Sequence, residues 1–139
     1  MRDQRSRIFS LGEMFMPVRG VRGAITVRKN NKEQILEATQ ELLQAILDRN
    51  PEMKPIAFAS AFFSVTKDLN AAFPAKAARL MGWNEVPLFG VQEISSEEGL
   101  EKCIRVLIHW NTELHQKDIQ HVYLGEAKNL RPDLTKKSI

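Results

Sequence analysis

Arg105 interrupts an otherwise apolar run, Cys103-Ile104-Arg105-Val106-Leu107-Ile108, that reads as a buried strand. An arginine cannot shed its charge, so burying it demands an anion, either an internal carboxylate or a bound ligand. A second charge, Glu93, falls within another strand-like run, Val86 to Ile94. Two opposite charges on strands suggest either a structural salt bridge or a polar pocket, and the two runs alone leave both open.

The other groups able to do chemistry are mostly cationic: Arg22, Arg79, Arg131 and Lys76, with Tyr123 beside them. Lys76 and Arg79 stand three residues apart, so on a helix they share a face, which in most proteins is simply a solvated one. A tyrosine in a strand usually belongs to the core, its hydroxyl reaching a partner. Arg22 beside Gly23 reads as an exposed strand residue, and Arg131-Pro132 as a turn in the tail. None of these points to a reaction singly. The chain has no G-x-S-x-G elbow, no Walker-type GK[ST], no HExxH and no paired cysteines. His109, His115 and His121 lack metal-ligand spacing, and Cys103, the single cysteine, reads as a small core residue.

The totals set the frame for these residues. A chain of 139 residues suffices for one domain with a real core. With 43% hydrophobic and 27% charged residues it has a globular balance. No apolar run approaches the roughly 20 residues of a membrane-spanning helix. One cysteine excludes an internal disulfide and a cysteine-rich metal site, and fits a reduced, cytoplasmic setting. The net charge of +3 is mildly basic, but the lysines and arginines are scattered, which disfavours a nucleic-acid surface and leaves room for discrete anion contacts. Residues 1–15 are polar, carry three arginines and precede a second methionine, Met16. They are expected to form a poorly ordered extension to a single domain spanning 16–139.

Hydrophobic spacing supplies the elements that must position the charges. Pro17 to Arg28 is β-rich, with Gly20 and Gly23 marking a bulge or a close backbone approach. Asn30 or Asn31 caps a helix running to about Asp48, on which Ile35, Leu36, Leu42, Leu43, Ile46 and Leu47 recur at helical spacing. Ile56 to Val65 is apolar on both alternating faces, the pattern of a central strand covered on both sides. Pro74 opens a second helix through about Met81, closed by Gly82. Strands follow at about Val86–Ile94, Cys103–Trp110 and His121–Leu124, with a short helical turn near Leu100 and an irregular tail from Gly125. Two helices against four or five strands define an α+β or α/β layer. So small a sheet has exposed edges and faces, and oligomerisation is expected.

Taken in order, the segments RGVRGA (19–24), FPAKAARLMGW (73–83), VPL (86–88), QE (92–93), CIRVL (103–107), HVYL (121–124) and LRPDL (130–134) resemble the monofunctional, trimeric bacterial class of chorismate mutase. The resemblance spans Pro17 to about Thr135. It implies an α+β mixed-sheet fold, a pseudo-α/β barrel formed by a homotrimer, with active sites at the subunit interfaces. It also implies conversion of chorismate to prephenate, a step toward phenylalanine and tyrosine, without metal, cofactor, nucleic acid or membrane. The reaction is a pericyclic Claisen shift, in which a C–O bond breaks while a C–C bond forms within one molecule. Such a reaction needs a fixed conformer and donors at the charge growing on the ether oxygen, and no nucleophile.

Carried over residue by residue, the resemblance assigns Arg105 to the ether oxygen and Glu93 to the ring hydroxyl. Arg22 and Tyr123 match the residues that grip the side-chain carboxylate. Phe73, Ala75, Lys76 and Arg79 match a stretch supplied by the neighbouring subunit. Leu88, Phe89 and Gly90 match a pocket-lining strand, and Leu130 with Arg131 match a mobile C-terminal segment, from about residue 130, that orders over ligand. Gly90 stands where some members carry cysteine, leaving only a backbone amide there, and the stretch between Arg79 and Gly82 is one residue shorter than in some relatives. The competing readings are a different chorismate-handling enzyme such as an isochorismate pyruvate lyase, which would be expected to be helical, a non-catalytic trimeric module that binds an anionic metabolite, and, least favoured, an RNA-binding protein.

Overall fold

The computed structural model describes residues 16–130. The expected N-terminal extension, Arg131 and nearly all of the expected mobile tail lie outside the described residues. The elements run β1 (Val18–Thr26), α1 (Lys32–Arg49), β2 (Phe58–Val65), α2 (Ala75–Leu80), β3 (Leu88–Gln92), β4 (Cys103–Asn111) and β5 (Val122–Leu124). Short 3-10 turns lie at Pro55–Ala57, Gln116–Asp118 and Gly125–Asn129. The strands form one mixed sheet in the order β3-β2-β4-β1-β5. β4 is antiparallel to both β1 and β2, whereas the outer pairs β2–β3 and β1–β5 are parallel. The fold is therefore α+β, as the spacing of apolar residues predicts.

Helix α1 begins where Asn31 accepts the Gln34 amide, which satisfies one of the first-turn donors. Its buried positions Ile35, Thr39, Leu42, Leu43 and Ile46 lie along one stripe. They meet Val21 and Ile25 of β1 and Ile104, Val106 and Ile108 of β4 in the main core. Each fully buried leucine or isoleucine contributes roughly 2 kcal/mol. Gly23 is where helix and sheet come closest: a Cβ there would lie 2.8 Å from Ile46 Cδ1 and 3.1 Å from Leu42 Cδ1. The helix ends at the buried Asn50, whose amide nitrogen donates to the Ile46 and Gln120 carbonyls and whose oxygen accepts the Gln120 amide. Helix α2 stops at Gly82, which adopts φ +94° and lets Trp83 turn into the core, edge-on to Phe58 at 5.1 Å.

Four expectations need correction. β2 is covered on one side only: Phe63 and Ala61 are buried, while Phe62 is 44% exposed. The helices pack on the other side of the sheet, so apolar content alone misread this strand as doubly covered. β4 is one-sided for the same reason, and Arg105 lies on the face away from the helix rather than in the core. Residues 97–99 form a turn where a helical turn near Leu100 is expected. The segment Gly125–Asn129 is a 3-10 helix rather than irregular, because Ala127 is buried against Ala24, Cys103 and Tyr123.

Candidate active site

Strand register decides which side chains meet, because residues directly opposite each other point to the same face. Arg105 pairs with Ala24 on one side and Ser64 on the other, and Ser64 pairs in turn with Val91. One register step along, Arg22 pairs with Leu107, Leu107 with Phe62, and Phe62 with Phe89. Tyr123 lies opposite Ala24 across the parallel β1–β5 pair. Glu93 continues the alternation from Val91, its amide donating to the Val65 carbonyl at 2.8 Å. All of these residues lie on the face that α1 leaves uncovered. At one end a small cluster of Ala24, Cys103, Tyr123 and Ala127, with Leu100 and Leu130 against it, covers the sheet. Beyond it Phe62, Phe89, Val91 and Leu107 remain exposed.

Between the small cluster and the apolar patch is an open cavity of about 280 Å³, lined by Arg22, Ser64, Glu93, Arg105 and Tyr123 among others. Its volume is close to the lower end of the roughly 300–1,000 Å³ range of small-molecule sites. Arg105 Nε lies 3.4 Å from Glu93 Oε2, both side chains about a third exposed. The two charges attract, yet the geometry is not that of a hydrogen bond, and Nε has no hydrogen-bond partner among the described residues. The buried Tyr123 hydroxyl has none among them either. Such groups are costly to leave unmatched, typically by about 1–3 kcal/mol each, and the two residues that carry them line the same cavity. The alternatives of internal salt bridge and polar pocket are thus both realised: an ion pair forms, and space remains beside it.

The supporting contacts come from neighbouring strands. Ser64 donates its hydroxyl to Glu93 Oε2. The Arg22 amide donates to His121 Nδ1 at 2.9 Å, which requires that ring nitrogen to be unprotonated and ties β1 to the start of β5. Thr66 holds both backbone groups of Cys103, through its amide and its hydroxyl, and so anchors the start of the strand that carries Arg105. Burial pushes the Cys103 thiol above its ordinary range, with the charge of Arg105 pulling the other way.

The remaining sequence-derived residues fall elsewhere. Phe73, 78% exposed, and Lys76 line a separate groove of about 640 Å³ with Phe63, Gly90 and Gln92. Lys32 beside Lys76, by hydrogen bonding and like charge, lowers the pKa of that ammonium. Ala75 and the exposed Arg79 lie on the same short helix, outside both cavities. Leu88 packs against the main core and Gly90 faces the second groove, whereas Phe89 and Val91 are on the face of Arg105. The two cavities share Phe63 and Val91, so β3 is a common wall. Sequence reasoning overlooked Ser64, Phe62, Val91 and Leu107. Ser64 could have been found, since Ser60 and Ser64 are the two polar residues of β2 and share one face at strand spacing.

The sequence matches the family model for chorismate mutase type I over residues 18–134. The chain belongs to this family, whose members are isomerases of aromatic amino acid biosynthesis. It is 48% identical over 117 residues to chorismate mutase AroH of Thermus thermophilus, covering 84% of this chain and 96% of that protein. Chorismate mutase AroH of Bacillus subtilis (strain 168) is 46% identical over 121 residues, covering 86% and 94% respectively. A solved chorismate mutase from Clostridium thermocellum superposes with a TM-score of 0.76 at 48% identity, over 78% of this chain and 96% of its own.

Proposed function

We propose that this chain, through a single catalytic domain beginning near residue 16, rearranges chorismate to prephenate as a cytoplasmic homotrimer with a site at each subunit boundary. The observation that carries the reading is the cavity lined by Arg105 and Tyr123, whose Nε and hydroxyl are both without a hydrogen-bond partner among the described residues. A dicarboxylate with an ether oxygen supplies acceptors for both. Arg105 donates to the ether oxygen, where charge grows as the C–O bond breaks, and its worth rises toward the transition state. Glu93 accepts the ring hydroxyl. Arg22 and Tyr123 grip the side-chain carboxylate and keep the enolpyruvyl arm folded over the ring.

The exposed patch of Phe62, Phe89, Val91 and Leu107 is of the kind that a second copy covers. A neighbour seated there would bring Phe73, Ala75, Lys76 and Arg79 to the open side of the cavity, with Leu88, Phe89 and Gly90 forming the shared wall. Leu130 and Arg131 would close over the ligand. Among the described residues no helix is long and apolar enough to cross a membrane.

The test combines a chorismate-depletion assay, identification of prephenate, and a native mass. Arg105→Gln is expected to lower turnover by at least about a hundredfold while still binding the dianion, since losing one donor to developing charge costs on the order of 3 kcal/mol. Arg105→Lys fails as well, its ammonium being a point charge on a differently shaped stem. Near-parental turnover by Arg105→Gln would overturn the electrostatic role. A protein that binds chorismate without consuming it would be a sensor, and a native mass of one chain would remove the interfacial site.

A further inference from the structure

We infer that Ser64 is a positioning residue that holds the Glu93 carboxylate off Arg105, an inference that rests on the cavity being a chorismate site. In the sheet Ser64 stands directly between the two charges, opposite Arg105 on β4 and opposite Val91 on β3, two residues before Glu93. Its hydroxyl donates to Glu93 Oε2, the same oxygen that lies 3.4 Å from Arg105 Nε. A carboxylate and a guanidinium left to themselves settle into a two-bond pair. Here they do not: Nε is close enough to feel the charge and is not hydrogen-bonded.

The hydroxyl explains the difference. Glu93 follows an edge strand, and its amide is tied only to the Val65 carbonyl, so its side chain has freedom to swing. A serine hydroxyl has one proton to give, and giving it to Oε2 fixes the carboxylate plane. Oε1 is then left to accept a ligand hydroxyl, and the guanidinium is left to meet a ligand anion. Without that hydrogen bond the carboxylate turns toward Arg105 and neutralises the group that should answer the developing charge. Ser64 thus acts through Glu93 and does not itself touch the reacting atoms.

The experiment is a kinetic cycle on the full chain with chorismate, using Ser64→Ala, Ser64→Thr, Glu93→Ala and the Ser64→Ala/Glu93→Ala double variant, the slow ones under single-turnover conditions. Ser64→Ala is expected to lower kcat about tenfold, near the lower end for a lost hydrogen bond to a charged group. KM should move less than about threefold, with the thermal midpoint unchanged. Ser64→Thr, which keeps the hydroxyl, should recover most of the loss. In the Glu93→Ala background, removing the hydroxyl should do nothing further. A parental kcat for Ser64→Ala, or an equal loss in both backgrounds, would overturn the proposal, the second because a general loosening of β2 does not depend on Glu93. If Ser64→Ala fails to fold, Ser64→Cys keeps the volume with a weak donor and carries the same expectations. If the parental protein leaves chorismate unchanged, the substrate reading fails first, a result distinct from any of these.

Discussion

Replacing Tyr123 by phenylalanine should move stability and activity in opposite directions. The hydroxyl is buried and has no hydrogen-bond partner among the described residues, while its ring packs with Ala24, Cys103 and Ala127. Leaving such a group unmatched costs about 1–3 kcal/mol, and phenylalanine removes it without changing the shape of the ring. Taking about 1 kcal/mol, the melting temperature of a domain this size rises by roughly 4 °C. In the proposed complex with chorismate the same hydroxyl would donate to a carboxylate. A charge-assisted bond of about 1.5–3 kcal/mol corresponds to a loss of about ten- to a hundredfold in kcat/KM. The assay pairs thermal unfolding at one fixed protein concentration with chorismate kinetics on the same samples. A variant destabilised by more than about 1 kcal/mol would mean that the hydroxyl has a protein partner, and an unchanged kcat/KM would remove Tyr123 from the carboxylate grip.

Three further expectations follow from the same geometry. Phe62→Asp places a charge in the centre of the exposed apolar face and, on the proposed trimer, should reduce the native mass to that of one chain with the far-UV circular dichroism retained; a variant that still assembles would put the proposed interface elsewhere. Gly23→Ala drives a methyl to 2.8 Å from Ile46 Cδ1 and 3.2 Å from Val106 Cγ1, and overpacking of this kind costs about 1–3 kcal/mol, read as an earlier urea midpoint; no change would show that α1 shifts freely. The Cys103 thiol, raised above its usual 9.0 mainly by burial, should react slowly with thiol reagents while folded. Because the folded protein holds that proton longer than the unfolded chain, the stability linked to Cys103 is complete below pH 9 and falls as the pH rises through the folded value. Cys103→Ala should flatten that alkaline decline, and an identical pH profile would contradict the linkage.

The sequence is most legible where one side chain sets a local outcome. Asn31 and Gly82 mark the ends of helices because a cap oxygen and a positive φ are local requirements. Arg105 and Glu93 stand out as charges within strand-like runs just as plainly. Which face the helices cover was not, since β2 and β4 carry apolar residues on both sides. One side meets α1, and much of the other is exposed, so the same pattern serves a core and an open face. The partition of Leu88, Phe89 and Gly90 between the core, the exposed face and the second groove was hidden likewise, because it depends on pairing across strands rather than on spacing along one. The role of Ser64 was missed because a serine in an apolar strand looks inert until the acid opposite it is known.

The parallel pairing of β5 with β1 has a kinetic consequence. The amide of Arg22 meets His121 across 99 positions of chain, so closing that pair confines nearly the whole described length in one loop. The entropic cost of such a closure is on the order of 4 kcal/mol, against about 3 kcal/mol for α1 docking on the strand that precedes it. Tyr123 and Arg22 are therefore brought together late, after the middle of the sheet has formed. During refolding from urea, the circular dichroism of helix and sheet should recover ahead of chorismate turnover, and catalysis becomes a gauge of whether the last strand has come home.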